Sequence, residues 1–190
     1  MTILLIRHGI TRANEAHLYC GSTDLPLSER GRAGLGPVPG YEYFRFLSSG
    51  LRRANETLEL LFPGKAYACV PELREVDFGS FEMKSYQELK QDPAYLAWIT
   101  GDNEANVPPG GESGCAMRCR VLKAFDRIAA QGQDTVIVTH GGVIAAIMAH
   151  LFPEEGKNRY QWQCPNGSGY VLTGDTENWN YQPWTGSPKA

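Results

Sequence analysis

The sequence predicts an α/β fold, a three-layer α/β/α sandwich on a mostly parallel central sheet, and two stretches predict it. Ile3, Leu4, Leu5 and Ile6 form a short continuous apolar run, the pattern of a strand covered on both faces. Thr135-Val136-Ile137-Val138-Thr139 repeats that pattern far along the chain. Each run ends on a histidine followed by a glycine, His8-Gly9 and His140-Gly141. The second leads directly into a helix, to about Leu151, whose free N–H groups can face an anion. Ligands of open α/β sheets gather at the carboxyl ends of the strands, so the two histidines can meet despite their separation in sequence.

Composition narrows the function. At 190 residues, 42% hydrophobic and 21% charged, the chain has the size of one globular domain with a substantial core, and a single domain over 1–190 is expected. A formal net charge of -3 gives no general attraction for nucleic acid, so an anion must be held by a local cluster of Arg and His. No run approaches the ~20 apolar residues of a membrane span, and the first core strand begins too early to leave room for a signal peptide. A cytoplasmic protein is expected, with neither membrane nor nucleic acid as partner. Cys20, Cys69, Cys115, Cys119 and Cys164 are scattered, odd in number and lack a C-x-x-C pair. They argue against a disulfide framework and against a zinc knuckle, so no metal is expected.

In chain order, Arg7-His8-Gly9 puts two strong polar side chains where the first strand leaves the core, and Thr11 and Asn14 add a hydroxyl and an amide just beyond. Alone, such a histidine is more often a hydrogen-bonded structural residue than a nucleophile. Leu18 to Arg32 reads as a polar connection. Gly31, Gly34, Gly36, Pro37, Pro39 and Gly40 then disfavour a long helix by roughly several kcal/mol, which predicts a short helix or an irregular loop. Tyr43 to Leu47 reads as a second strand, closed by Ser48-Ser49, which would also cap a helix from about Leu51 to Phe62. Arg52 and Arg53 fall in the first turn of that helix, where its dipole repels cations, so they are either solvated or partners of an oxyanion.

A strand near Tyr67 to Val70 precedes an acidic loop, Pro71 to Glu82. Ser85 to Glu88 has capping-box spacing and Asp92-Pro93 suits a second start, giving two short helices in an insertion at about 83–111. Tyr86, Tyr95 and Trp98 read as its miniature core rather than as a substrate platform. A longer helix is expected from about Gly114 to Ala130. Arg159 to Gln163 and Gly169 to Thr173 read as a hairpin around Asn166-Gly167, followed by a polar tail with Trp179, Tyr181 and Trp184. His17 and His150 read as structural or surface residues.

The stretch Leu5-Ile6-Arg7-His8-Gly9-Ile10-Thr11-Arg12-Ala13-Asn14 resembles the signature of the histidine phosphatase superfamily, which includes the cofactor-dependent phosphoglycerate mutases. Ser48 to Ala54, Leu73-Arg74-Glu75 with Phe78-Gly79 and Glu82, and Thr135 to Ile144 resemble its later motifs in the same order. Gly111-Glu112-Ser113 with Arg120 is similar as well, whereas the glycines and prolines of 31–40 depart from the long helix of the family. The resemblance implies that His8 is the nucleophile and that Arg7, Arg53, His140, Asn14 and Gly141 hold the phosphoryl group. Arg52 is left to solvent or the rim. It implies that Glu75 is the general acid/base, with Glu82 in the same loop as fallback, that Thr11 is a second-tier residue, and that the insertion is a small helical lid.

The chemistry these residues suit is phosphoryl transfer. A phosphomonoester dianion repels nucleophiles, so its oxygens must be held by preorganised donors while His8 attacks in line. Arg7 and Arg53 supply planar forks without competing as nucleophiles, and no metal or cofactor is required. His8 must be neutral at the attacking nitrogen, with its other N–H held by an acceptor such as a backbone carbonyl. His140 is expected as an imidazolium once phosphate is bound. The compact length, the short insertion and Phe81-Glu82-Met83 look most similar to α-ribazole phosphatases, so the expected function is hydrolysis of a small phosphomonoester such as α-ribazole 5′-phosphate. Two alternatives stay open: a phosphoglycerate mutase, and a non-catalytic phosphoprotein-binding module on the same fold.

Overall fold

A computed structural model describes residues 1–102, 104–176 and 178–186. The first apolar run becomes β1 (Thr2–Arg7) and the second β4 (Thr135–Thr139). Between them come α1 (Arg12–Glu15), α2 (Glu29–Ala33), β2 (Arg45–Ser48), α3 (Arg52–Leu61), β3 (Ala68–Cys69), α4 (Tyr86–Leu89), α5 (Pro93–Ile99) and α6 (Gly114–Ala129). After β4 follow α7 (Gly141–Leu151), β5 (Gly169–Gly174) and β6 (Trp179–Trp184). Among the described residues, six strands form one sheet in the order β3-β2-β4-β1-β5-β6. The pairs β2–β3, β2–β4 and β1–β4 are parallel, and β5 and β6 add an antiparallel edge. The sheet is mostly parallel, as the sequence predicts.

The central strands are apolar on both sides because both sides are covered. Ile3, Leu5 and Ile137 face the layer of α6 and α7, where Val121, Phe125, Ile144 and Ile147 are buried. Leu4, Ile6, Val136 and Val138 face the opposite layer, with Leu58 and Leu61 of α3. Adjacent residues point to opposite faces of a strand, so one continuous apolar run feeds two cores. The segment after Phe78 has a third, small cluster, in which Phe81, Leu89 and Tyr95 are buried with Tyr19 and Trp98 against them. Ser85 and Glu88 form the expected capping box, and Asp92 caps α5. Tyr86 departs from expectation: it is 54% exposed and only its neighbours form that core.

Several elements differ from the sequence reading. The second strand starts at Arg45, and Tyr43 is 99% exposed. Ser48 and Ser49 do not cap α3; Leu51 occupies the cap position without a side-chain bond. Ser48 Oγ instead donates to Asn55 Oδ1 and accepts the Gly50 N–H. The third strand shrinks to two residues. The hairpin is β5 with β6, so the expected polar tail is an edge strand and Arg159 to Gln163 form turns. Trp162, 1% exposed, explains the change: it is packed against Phe152, Tyr170 and Tyr181, and this burial overrides the local turn signal. Among the described residues, no helix is long and apolar enough to cross a membrane.

The glycine-rich stretch yields only the five-residue α2, capped by Ser28. Gly31 inside it has a spatial cause, because an added Cβ would overlap the Ile10 carbonyl oxygen. That contact presses α2 against the loop that follows His8. Alanine is the better helix former by about 1 kcal/mol. Gly31→Ala is nevertheless expected to destabilise the fold by about 1–3 kcal/mol through overpacking, read as a lower midpoint in urea unfolding; a raised midpoint would show that the contact carries no constraint.

Candidate active site

The parallel register pairs Arg7 with Thr139, so the next residues, His8 and His140, leave neighbouring strands side by side. The His8 N–H donates to the Thr139 carbonyl at 2.9 Å, and the two rings lie 5.2 Å apart between centroids. His8 is 5% exposed and His140 fully buried. His8 Nδ1 lies 2.7 Å from the Gly9 carbonyl oxygen. A carbonyl only accepts, so Nδ1 carries the hydrogen and the Nε2 lone pair is free. Gly9 is itself fixed, since its N–H donates to Thr57 Oγ1 at 2.9 Å and that hydroxyl donates to the Arg53 carbonyl. Burial, and then the Arg53 charge, hold the His8 pKa well below its ordinary 6.5, against the Gly9 hydrogen bond, which favours the charged ring.

His140 sits between a donor, Arg53, and an acceptor, Ser49. Arg53 Nε donates to its Nδ1 at 3.3 Å, which puts the ring hydrogen of the neutral tautomer on Nε2, 2.8 Å from Ser49 Oγ. Burial first, then Arg53, His8 and Arg7, lower its pKa well below 6.5. The imidazolium expected at His140 is disfavoured by these groups and needs a negative charge close by.

Two arginines act electrostatically on both histidines. Arg7 Nη1 donates to the Cys164 carbonyl at 2.7 Å, while its buried Nε has no hydrogen-bond partner. The Arg53 fork donates to the carbonyls of Gly21 and Thr23 at 2.7 and 2.8 Å. Among the described residues neither forms an ion pair, whereas Arg52 turns outward to Glu56 at 3.7 Å. Gly141 opens α7 and is buried beside the Arg7 guanidinium. Asn14 Oδ1 accepts the Thr11 N–H and hydroxyl, and Thr11, almost fully buried, caps α1.

Of the two glutamates, Glu75 lines a cavity of about 450 Å³ together with Gly142, Phe78, Trp98 and Tyr160. Its carboxylate accepts the Gly142 N–H at 2.9 Å and the Val76 N–H at 3.0 Å. Arg120 braces this loop: it donates to the carbonyls of Glu72, Arg74 and Glu75 and grips the Glu112 carboxylate with two hydrogen bonds. The Glu82 carboxylate is instead enclosed by the N–H groups of Gly21, Ser22, Thr23 and Phe78. His8 lines neither the Glu75 cavity nor a second one of about 430 Å³ beside Gly9 and Trp184. Sequence reasoning missed Ser49, Thr57, Cys164 and Asn166, whose Nδ2 donates to the His8 carbonyl at 3.0 Å. Ser49 lay inside a family-like motif, but nothing in the sequence marks the other three. His17 and His150 are exposed.

The family model described as histidine phosphatase superfamily (branch 1) matches residues 3–186. The chain belongs to this superfamily. An adenosylcobalamin/alpha-ribazole phosphatase of Salmonella typhimurium is 34% identical over 177 residues, covering 88% of this chain and 87% of the relative. A metal-independent phosphoserine phosphatase of Arabidopsis thaliana is 33% identical over 167 residues, covering 78% and 68%. The crystal structure of the alpha-ribazole phosphatase from Shigella flexneri superposes with a TM-score of 0.84 at 28% identity, covering 97% of this chain and 96% of that one. The protein is a small-molecule phosphatase of the histidine phosphatase fold.

The lowered histidine pKa values predict a pH signature. Below about 6.5 the unfolded chain binds protons that the buried rings refuse, so their contribution to stability is present above that pH and lost as pH falls through it. Nitrogen-detected NMR of the histidine rings at pH 6.5 is expected to show His8 neutral and protonated at Nδ1, and the thermal midpoint should drop from pH 7 towards pH 5. An imidazolium pattern for His8 at pH 6.5 would contradict the assignment.

Proposed function

We propose that this phosphatase hydrolyses its ester through a phosphohistidine formed at Nε2 of His8. The hydrogen bond from His8 Nδ1 to the Gly9 carbonyl carries this reading, because it leaves the other nitrogen unprotonated beside His140 and two arginines. Nε2 attacks phosphorus as the P–O ester bond breaks, and Glu75 gives its proton to the departing oxygen. Glu75 then takes a proton from water, whose oxygen attacks the phosphohistidine and breaks the P–N bond, restoring His8. Arg7 and Arg53 neutralise the dianion throughout. The unpartnered Arg7 Nε is a donor suited to a phosphoryl oxygen. Asn14, with its oxygen engaged by Thr11, can offer only its NH2, and Gly141 its amide at the start of α7. Thr11, whose hydroxyl belongs to the capping box, has no direct role. The reaction needs no metal or cofactor, in line with the relative named a metal-independent phosphatase.

For the leaving group we assign α-ribazole, as the 5′-phosphate ester. The cavity beside Glu75 is roomy and carries Phe78, Trp98 and Tyr160, an aromatic lining that suits a nucleoside-like group and is more than a phosphoglycerate needs. Two of the relatives described above are α-ribazole phosphatases. Residues 83–111 act as a lid on this cavity, to which they contribute Trp98 and Glu104, within a single domain. All five cysteines are free, which supports a reducing, cytoplasmic location.

Phosphate release from α-ribazole 5′-phosphate, phosphoserine, 3-phosphoglycerate and a fructose bisphosphate tests the reading. The first is expected to give the highest kcat/KM, by about 10-fold or more. His8→Ala should lose about 10,000-fold or more in turnover and Glu75→Gln about 100- to 10,000-fold. Isomerisation of 3-phosphoglycerate without net hydrolysis would favour the mutase. Full turnover by His8→Ala would overturn the phosphohistidine.

A further inference from the structure

The reaction above leaves Glu82 without a task, yet its carboxylate is the centre of a dense set of hydrogen bonds. Oε1 accepts the N–H groups of Gly21 at 2.9 Å, Ser22 at 3.0 Å and Phe78 at 3.1 Å. Oε2 accepts the Thr23 hydroxyl at 2.6 Å, the Thr23 N–H at 3.2 Å and a second approach of the Gly21 N–H at 3.1 Å. Successive backbone N–H groups that close on one anion form a nest, and here an internal side chain fills it.

The far side of the same segment holds Arg53. The carbonyls of Gly21 and Thr23 accept from Arg53 Nη2 and Nη1. The peptide unit joining Gly21 to Ser22 therefore has its N–H on the Glu82 carboxylate and its C=O on the Arg53 guanidinium. Opposite charges at the two ends of one peptide dipole strengthen both bonds. The join has no slack, because an added Cβ at Gly21 would overlap the Val76 carbonyl oxygen and lie 2.9 Å from Glu82 Oε1.

We propose that Glu82 is a positioning residue for Arg53, acting through the Gly21–Thr23 segment to hold that guanidinium where it meets the phosphoryl group. Glu82 is enclosed by donors from 21–23 and from Phe78 and does not line the cavity, whereas Glu75 takes two backbone N–H groups and faces that cavity, so the two carboxylates have different places in the site. The proposal rests on the reading of Arg53 as a phosphoryl-holding group, and the test separates the two.

The test uses orthovanadate binding by calorimetry and p-nitrophenyl phosphate turnover, on Glu82→Gln, Arg53→Ala and the double variant of the full chain. Glu82→Gln replaces one accepting oxygen by an NH2 that faces N–H donors. It is expected to weaken orthovanadate binding and lower kcat/KM by roughly 10- to 100-fold, while leaving the pH limits of the rate profile in place. Added to Arg53→Ala it should change either quantity by less than about 3-fold, because its effect passes through that side chain. Should Glu82→Gln fail to fold, Thr23→Val removes the hydroxyl that Glu82 Oε2 accepts at 2.6 Å and should show the same non-additivity. Losses that multiply independently, a shifted limb of the pH profile, or a lower melting temperature with intact binding would each overturn the proposal while Arg53→Ala remains defective. If Arg53→Ala itself binds orthovanadate normally, the Arg53 reading fails and the proposal falls with it.

Discussion

The register of β1 against β4 is the constraint on which the rest of the site depends. Both strands are apolar on both faces, so alternation of polar and apolar residues cannot set their alignment. Their ends can. Arg7 and Thr139 are paired, and each is the last strand residue before a histidine. A one-residue slip would bury an arginine among Val138 and Ile137 or lift an apolar residue out of the core, and it would break the bond from the His8 N–H to the Thr139 carbonyl. The register also fixes what stands behind His140, because α7 starts at the next residue and offers its first amides to Glu75 and to the space beside Arg7.

Around this pair the arginines are held by dipoles rather than by counter-charges. Arg32, Arg120, Arg127 and Arg159 each pair with a glutamate, while Arg7 and Arg53 are held by the carbonyls of Cys164, Gly21 and Thr23. A carboxylate in those places would cancel the charge and compete with an incoming phosphoryl dianion. Carbonyls orient the guanidinium groups and leave their charge available. A chain of net charge -3 can thus keep two guanidinium groups without counter-charges beside its buried histidines.

What was legible in the sequence was what is local. The strand-end histidines announce themselves because apolar runs stop at them, and the short α2 follows from its glycines. The errors lie where a distant partner wins over a local preference. Ser49 has the chemistry of a helix cap, but its hydroxyl is claimed by His140, and α3 begins without a side-chain cap. Asn166-Gly167 has the composition of a hairpin turn, yet Asn166 donates to the His8 carbonyl and the Gly167 N–H to the Arg7 carbonyl. Both partners sit at the opposite end of the chain, where no spacing rule reaches. Glu75 and Glu82 share a loop and could not be told apart, because the donors that enclose Glu82 come mostly from 21–23. The backbone of 164–168, with no charged side chain of its own, left no trace of its part in the site.

In the proposed reaction the groups that set the protonation of the two histidines are also those that would hold the substrate. Arg53 and Arg7, added to burial, keep both imidazoles unprotonated, which for His8 means a lone pair available at neutral pH. Under the proposed reaction a phosphoryl dianion entering beside the same guanidinium groups changes the balance for the two rings differently. For His8 the new bond to phosphorus uses the very nitrogen that a proton would need. For His140 the dianion offsets the cationic surroundings that held its pKa down, so a proton becomes favourable on a ring able to donate it to a phosphoryl oxygen. Protonation at Nδ1 would then set two donors against each other, and the Arg53 Nε contact must turn from His140 towards the anion.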